Sequence, residues 1–175
     1  GSITLPSRFM LVGAMNPCRC GWYGHPSGRC RCTKQQVEKY VEKISGPMLD
    51  RMDLHVNVPS VEFEAMRRRE KAESSAEVKA RVNKARERQK ERFAGTNAAC
   101  NAQMSPAMVG EFCALDGSGE KLLKGAFDRL GLTARSHDRL LRVARTIADL
   151  DGSESIEAQH LAEAIQYRNT DILRG

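Results

Sequence analysis

The stretch TARSHDRLLRVARTIADLDG, residues 133–152, decides the architecture. At about 100° per residue, Leu140, Val143, Ala144 and Ile147 fall on one side of a helix. Arg135, Arg139 and Arg142 project within roughly 60° of one another on the other side. The helix runs from Thr133 to Leu150, and Asp151-Gly152 ends it. Such a helix must bury one face against other helices and present an arginine stripe on the other. The stripe has two readings. It is a solvated face, or it is an edge turned to phosphate, because guanidinium forks match phosphate oxygens.

Working outward, the neighbours are helical too. IEAQHLAEAIQYR, residues 156–168, forms a C-terminal helix, and GEKLLKGAFDRL, residues 119–130, forms one ended by Gly131. Ser105-Pro106 is a cap followed by a first-turn proline that opens PAMVGEFCAL. TNAACNAQM, residues 96–104, reads as a loop. Before it, SSAEVKARVNKARERQKERF is a long helix with a thin seam of Val78, Val82, Ala85 and Phe93. Residues 60–175 are therefore expected to form a helical bundle.

Residues 1–59 read differently. ITLP and SRFMLVGAM suggest a strand, a proline-containing turn and a second strand. Phe9 to Met15 is apolar almost without alternation, the pattern of a strand covered on both faces. Asn16-Pro17 ends it. Thr33 caps the helix TKQQVEKYVEKIS, with Val37, Tyr40, Val41 and Ile44 on one face, and Gly46-Pro47 stops it. LHVNV, residues 54–58, alternates as a short strand closed by Pro59. The fold class is mainly α with a small α/β part.

Between strand and helix lies CRCGWYGHPSGRCRC, residues 18–32, with Cys18, Cys20, Cys30 and Cys32 in two Cys-x-Cys pairs. Four thiolates can close a tetrahedral zinc site, and the intervening glycines and Pro26 let the loop turn back. Such a site is structural, since no position stays open for water or substrate. The alternative is a free thiol cluster incidental to the fold. His25 reads as a loop residue, and Cys100 and Cys113 read as small buried apolar groups.

Composition narrows the setting. No run is long enough to span a membrane, and no secretory leader is evident. Thiols in such a chain point to a reducing, cytoplasmic compartment. Gly1-Ser2 has the look of a cloning scar. Of the net charge of +6, all sits on residues 67–92, which hold eleven Lys/Arg against five Asp/Glu. That segment could track a phosphate backbone, but its glutamates and lack of aromatics favour a solvated helix. GSGEKLL, residues 117–123, echoes a phosphate loop but has Leu where Ser/Thr should hold magnesium. Asn16 stands at the carboxyl end of a presumptive parallel strand, where α/β sheets bind ligands, or simply forms a turn before proline. Arg51 sits between Asp50 and Asp53, which could pair with it.

FMLVGAMNPCRCGWYG, CRCT, ISGPMLDRMDLHVNVP and GLTARSHDRLLRVARTIADL together resemble the C-terminal part of the magnesium-chelatase-like AAA+ ATPases of bacteria, the ComM/YifB family. The resemblance implies a truncated AAA+ core in residues 1–59, with sensor 1 strand, helix and finger strand, followed by the helical lid in residues 60–175. It implies that Asn16 is the sensor 1 residue and that Arg51 in MLDR is the arginine finger. It makes Arg135 sensor 2, with Arg139 and Arg142 as substitutes that could bind nucleotide. It implies ATP and Mg as cofactors and a ring, expected to be a hexamer, for a parent that remodels DNA as a branch-migration helicase. The Walker A and Walker B motifs would lie upstream, so this portion is expected to be inactive alone. A different class of function, a zinc-stabilised module that binds nucleic acid, competes with this reading.

Overall fold

The computed structural model describes residues 2–5, 9–61, 67 and 72–168, apart from the side chains of residues 134 and 135. Its elements are helical: α1 (Lys34–Val41), α2 (Gly46–Arg51), α3 (Ser75–Arg92), α4 (Pro106–Phe112), α5 (Gly117–Leu130), α6 (Ala134–Asp151) and α7 (Ala158–Gln166). The chain divides into two units, one running to Ser45 and one starting at Gly46.

In the first unit α1 starts where Thr33 accepts a hydrogen bond from the Gln36 N–H, while Gln36 reaches back to the Thr33 N–H. This reciprocal cap satisfies two donors that a helix start leaves orphaned. The strands expected on either side do not form, and no strand occurs among the described residues. Phe9, Met10 and Val12 are 77, 87 and 81 % exposed, and Val58 in the other segment is 81 % exposed. A doubly covered strand needs a ladder on each edge and a layer on each face. The described residues hold no further apolar run to stand between the two segments, so the small α/β part is not assembled. The expected turn at residues 6–8 lies outside the described residues.

A second correction concerns Gly46-Pro47, expected to stop the preceding helix: α1 ends at Val41, and Gly46-Pro47 open α2. Pro47 falls in the first turn, where a missing N–H and a fixed φ cost nothing.

The helical unit matches the expected pattern closely. Ser74, Ser105, Asp116 and Thr133 cap α3, α4, α5 and α6 with side-chain oxygens. Helix α6 is the hub, packing on α3, α4, α7 and the short 3-10 turn Asn101–Gln103. Leu140, Ala144 and Ala148 of α6 are wholly buried against Leu161, Ala164 and Ile165 of α7. Each large aliphatic side chain removed from water in this way contributes about 1.5–3 kcal/mol. In α3 the apolar seam is shorter than expected. Ala85 and Phe93 are buried, whereas Val78 and Val82 are about two-fifths exposed.

Inside this bundle lies a charged cluster. Asp149 is 1 % exposed, yet each carboxylate oxygen accepts two hydrogen bonds. Arg92 of α3 donates to both oxygens, Asn101 of the 3-10 turn to one, and Arg145 of α6 to the other. Arg145 directs its remaining donors to the carbonyls of Ser153 (2.7 Å) and Glu154 (2.8 Å), fixing the chain after α6. Burial opposes the charge on Asp149, but the bonds from Arg92 and Asn101 and the two guanidinium charges outweigh it and hold its pKa below the usual carboxylate value.

Removing the carboxylate would strand two buried cations. Asp149→Ala is expected to destabilise the helical unit by about 3–5 kcal/mol, read by urea unfolding. Because the folded pKa is depressed, the stabilisation is present above the unfolded value of about 3.9 and lost as pH falls through the folded value. Asp149→Asn should lack that acid-dependent limb.

Candidate metal centre and arginine cluster

The loop from Cys18 to Cys32 has few apolar residues to organise it, and its turns are made by Gly21, Gly24 and Gly28 at φ of 80, 75 and 64°. Any other residue would be strained there. These turns fold the two Cys-x-Cys pairs onto each other, and the sulfurs of Cys18, Cys20, Cys30 and Cys32 all lie within 4.8 Å of one another. Cys18 is 3.3 Å from Cys20 and 3.9 Å from Cys30, and Cys20 is 3.6 Å from Cys30. A zinc tetrahedron with Zn–S bonds of about 2.3 Å has edges of about 3.8 Å. The four cysteines are free thiols. The donor set therefore fits a soft divalent cation in a closed tetrahedral site.

The acidities show how the sulfurs compete for charge. The Trp22 N–H and then the Cys18 sulfur lower the Cys20 thiol to about 6. The Cys32 N–H draws the Cys30 thiol down, but desolvation and the sulfurs of Cys20 and Cys18 push it up to about 11. Four thiolates cannot share so small a volume without a cation among them. Around the cluster, Trp22 packs edge-on to His25 and carries the Arg29 guanidinium 5.1 Å from its ring centroid. His25 accepts a hydrogen bond from the Ser27 N–H and is not among the clustered sulfurs. Asn16 is exposed, with its amide against the open face of Gly21.

In the helical unit the expected arginines divide. Arg51, at the end of α2, is exposed and donates to the Pro47 carbonyl at 3.0 Å. Arg139 and Arg142 do not form a bare phosphate-facing edge. Arg139 donates to the carbonyls of Asp50 (3.1 Å) and Arg51 and lies 3.5 Å from Asp53. Arg142 donates to the Met104 carbonyl at 2.8 Å. The side chain of Arg135 lies outside the described residues.

Ser136 and Arg168, which nothing in the sequence singled out, complete the cluster, and Asp50 pairs with them rather than with Arg51. Asp50 accepts from the Ser136 hydroxyl at 2.8 Å and from Arg168 at 3.0 Å. Arg168, buried near the end of the C-terminal helix, also donates to the Met52 carbonyl. The Ser136 bond, joined by the Arg168 charge and hydrogen bond and by the Arg139 charge, outweighs the cost of burial and holds the Asp50 carboxyl below its usual pKa. Desolvation and the nearby Arg168 charge lower the His55 pKa, and neither ring nitrogen of His55 has a hydrogen-bond partner among the described residues. For Asp149 a signal existed: Arg145 and Asp149 are four residues apart on α6, the spacing at which opposite charges meet on a helix. For Arg168 no spacing rule pointed to residue 50.

Along the chain these features run as a four-thiol loop, an arginine-bearing short helix and a capped helical bundle. Residues 72–168 match the family "magnesium chelatase, subunit ChlI C-terminal", and residues 1–66 match "magnesium chelatase, subunit ChlI". The chain belongs to the magnesium chelatase ChlI family. It is 44 % identical over 172 residues to the uncharacterized protein YifB of Escherichia coli, covering 98 % of this chain and 33 % of that protein. It is 40 % identical over 167 residues to the competence protein ComM of Haemophilus influenzae, covering 95 % and 32 % respectively. An uncharacterized protein of Mycobacterium bovis is 34 % identical over 174 residues, with 99 % and 34 % covered. The chain thus spans about a third of the length of the curated relatives it matches.

Metal analysis of the purified chain is expected to give about one zinc per chain, since four thiolates make one closed site. Serine at Cys18 or Cys30 should lower that value, and a chelator should release the metal; full retention by either variant would refute the assignment.

Proposed function

We propose that this chain is the sensor, finger and lid portion of an AAA+ ATPase that works as a ring on DNA. The observation that carries the reading is similarity to YifB and ComM along nearly the whole chain, together with an exposed Arg51 at the end of α2. In this reading Asn16 orients the attacking water at the γ-phosphate, and Arg135 contacts the nucleotide from the lid. Arg51 reaches the nucleotide of a neighbouring subunit. Phosphoryl transfer is accelerated chiefly by positioning and by positive charge placed where negative charge develops. An arginine offered in trans requires head-to-tail contacts, which close into rings, and a hexamer is the expected closure. ATP and Mg are held by the nucleotide-gripping half, and this portion alone has no turnover. The apolar segments 9–15 and 54–58 would then pair with strands of that half. The work coupled to hydrolysis is DNA branch migration in a cytoplasmic protein. The four cysteines hold zinc, which folds the loop in the absence of an apolar core and takes no part in catalysis.

In the protein that includes the nucleotide-binding half, Arg51→Ala should reduce ATP turnover by about 10³-fold or more while sparing nucleotide binding. Normal turnover by that variant in a steady-state ATPase assay would end the finger assignment.

A second reading, a zinc-stabilised nucleic-acid-binding module, has one observation in its favour. The Trp22–Arg29 pair lies in a stretch with no acidic residue before Glu38. On this reading the isolated chain binds single-stranded DNA, weakening steeply with salt and again on Trp22→Ala. Fluorescence anisotropy with no binding at low salt would eliminate it.

A further inference from the structure

The segment that carries Arg51 is too short to hold its own direction. Helix α2 has six residues, Arg51 is its last, and the backbone past it is irregular. A helix this short is marginal without outside contacts. Those contacts come from residues far along the chain, in α6 and just beyond α7. Arg139 caps the carbonyl end of α2 by donating to the Asp50 and Arg51 carbonyls. Ser136 and Arg168 converge on the Asp50 carboxylate at 2.8 and 3.0 Å, and Arg168 also binds the Met52 carbonyl. The backbone N–H of His55 then donates to the Tyr167 carbonyl at 2.8 Å. Residues 50, 51, 52 and 55 are thereby all tied to the helical bundle, while the Arg51 side chain stays exposed.

We propose that Asp50, Ser136, Arg139 and Arg168 are positioning residues that aim Arg51. The inference rests on the finger reading of Arg51 and gives Arg139 a different task from phosphate contact. The physical case is geometric. A cationic group that must meet a transferring phosphoryl group loses most of its effect if misplaced by about 1 Å. Arg51 has a flexible stem, so the direction of its Cα–Cβ bond must be set by its backbone. That backbone has no sheet to hold it among the described residues. The charge-assisted bonds to Asp50 and the adjoining carbonyls supply the hold instead. Arg168 is 7 % exposed, so its bonds to residues 50 and 52 are sheltered from water, which strengthens them.

The test uses the protein that includes the nucleotide-binding half, with Asp50→Ala, Arg139→Met, Arg51→Ala and the double variant Asp50→Ala/Arg51→Ala. The positioning variants are expected to lower kcat about tenfold or more, with the ATP dissociation constant changed by less than about twofold. The double variant should be no slower than Arg51→Ala alone, because residues that act through one group are not additive. Amide exchange across residues 48–55 should accelerate in Asp50→Ala while α6 and α7 stay protected. Suppose Arg51→Ala is inactive but folded Asp50→Ala and Arg139→Met turn over within about twofold of the parent. The positioning role is then overturned and the finger reading stands. Normal turnover by Arg51→Ala overturns the finger reading, and positioning of a finger goes with it. If Asp50→Ala does not fold, Ser136→Ala, which removes a single hydroxyl, takes its place. Unchanged exchange at residues 48–55 in that variant would equally overturn the proposal.

Discussion

The helical unit depends on a single buried carboxylate. Asp149 draws donors from α3, the 3-10 turn and α6, and Arg145 passes the connection on to the loop that leads into α7. Aliphatic packing brings these elements together but is indifferent to small rotations of one helix on another. The carboxylate is not indifferent, because each of its four bonds has a fixed direction. A buried ion pair contributes little net stability compared with a hydrophobic replacement. Its cost is offset here by saturation, since both oxygens of Asp149 are doubly bonded and every donor nitrogen of Arg145 has an acceptor. The arrangement ties α3, the 3-10 turn and α6 to one another.

The unit that precedes it is organised by other means. From Asn16 to Thr33 the wholly buried apolar side chain is that of Cys18, a thiol. Glycine turns and four sulfurs do what a core does elsewhere. With the sulfurs gathered together, Arg19, Trp22, Arg29 and Arg31 stand exposed on the loop's surface.

The segments 9–15 and 54–58 leave most of their apolar side chains exposed. Asn16 comes after a run of exposed apolar residues, and Arg51 precedes another. Apolar side chains with strand-like patterning and no ladder are faces awaiting a layer. The helical unit already reaches toward one of them through Asp50 and the carbonyls beside it, so the Arg51 segment is held even where a sheet is not built.

Local order was legible in the sequence. Thr33, Ser105 and the apolar spacing of α6 announced caps and faces that the structure bears out, because short-range hydrogen bonds and helical periodicity are decided within a few residues. The four-thiol cluster was equally legible, since its spacing is local and its chemistry narrow. Three things belonged to tertiary structure alone. The runs at residues 9–15 and 54–58 read as strands, but a strand exists only when a second backbone accepts its hydrogen bonds. The arginine stripe of α6 read as one surface, yet Arg139 and Arg142 turned to carbonyls contributed by other segments. And no pattern in the chain linked Arg168 to Asp50, because a salt bridge across more than a hundred residues is fixed by where the helices pack and not by how far apart the residues stand in sequence.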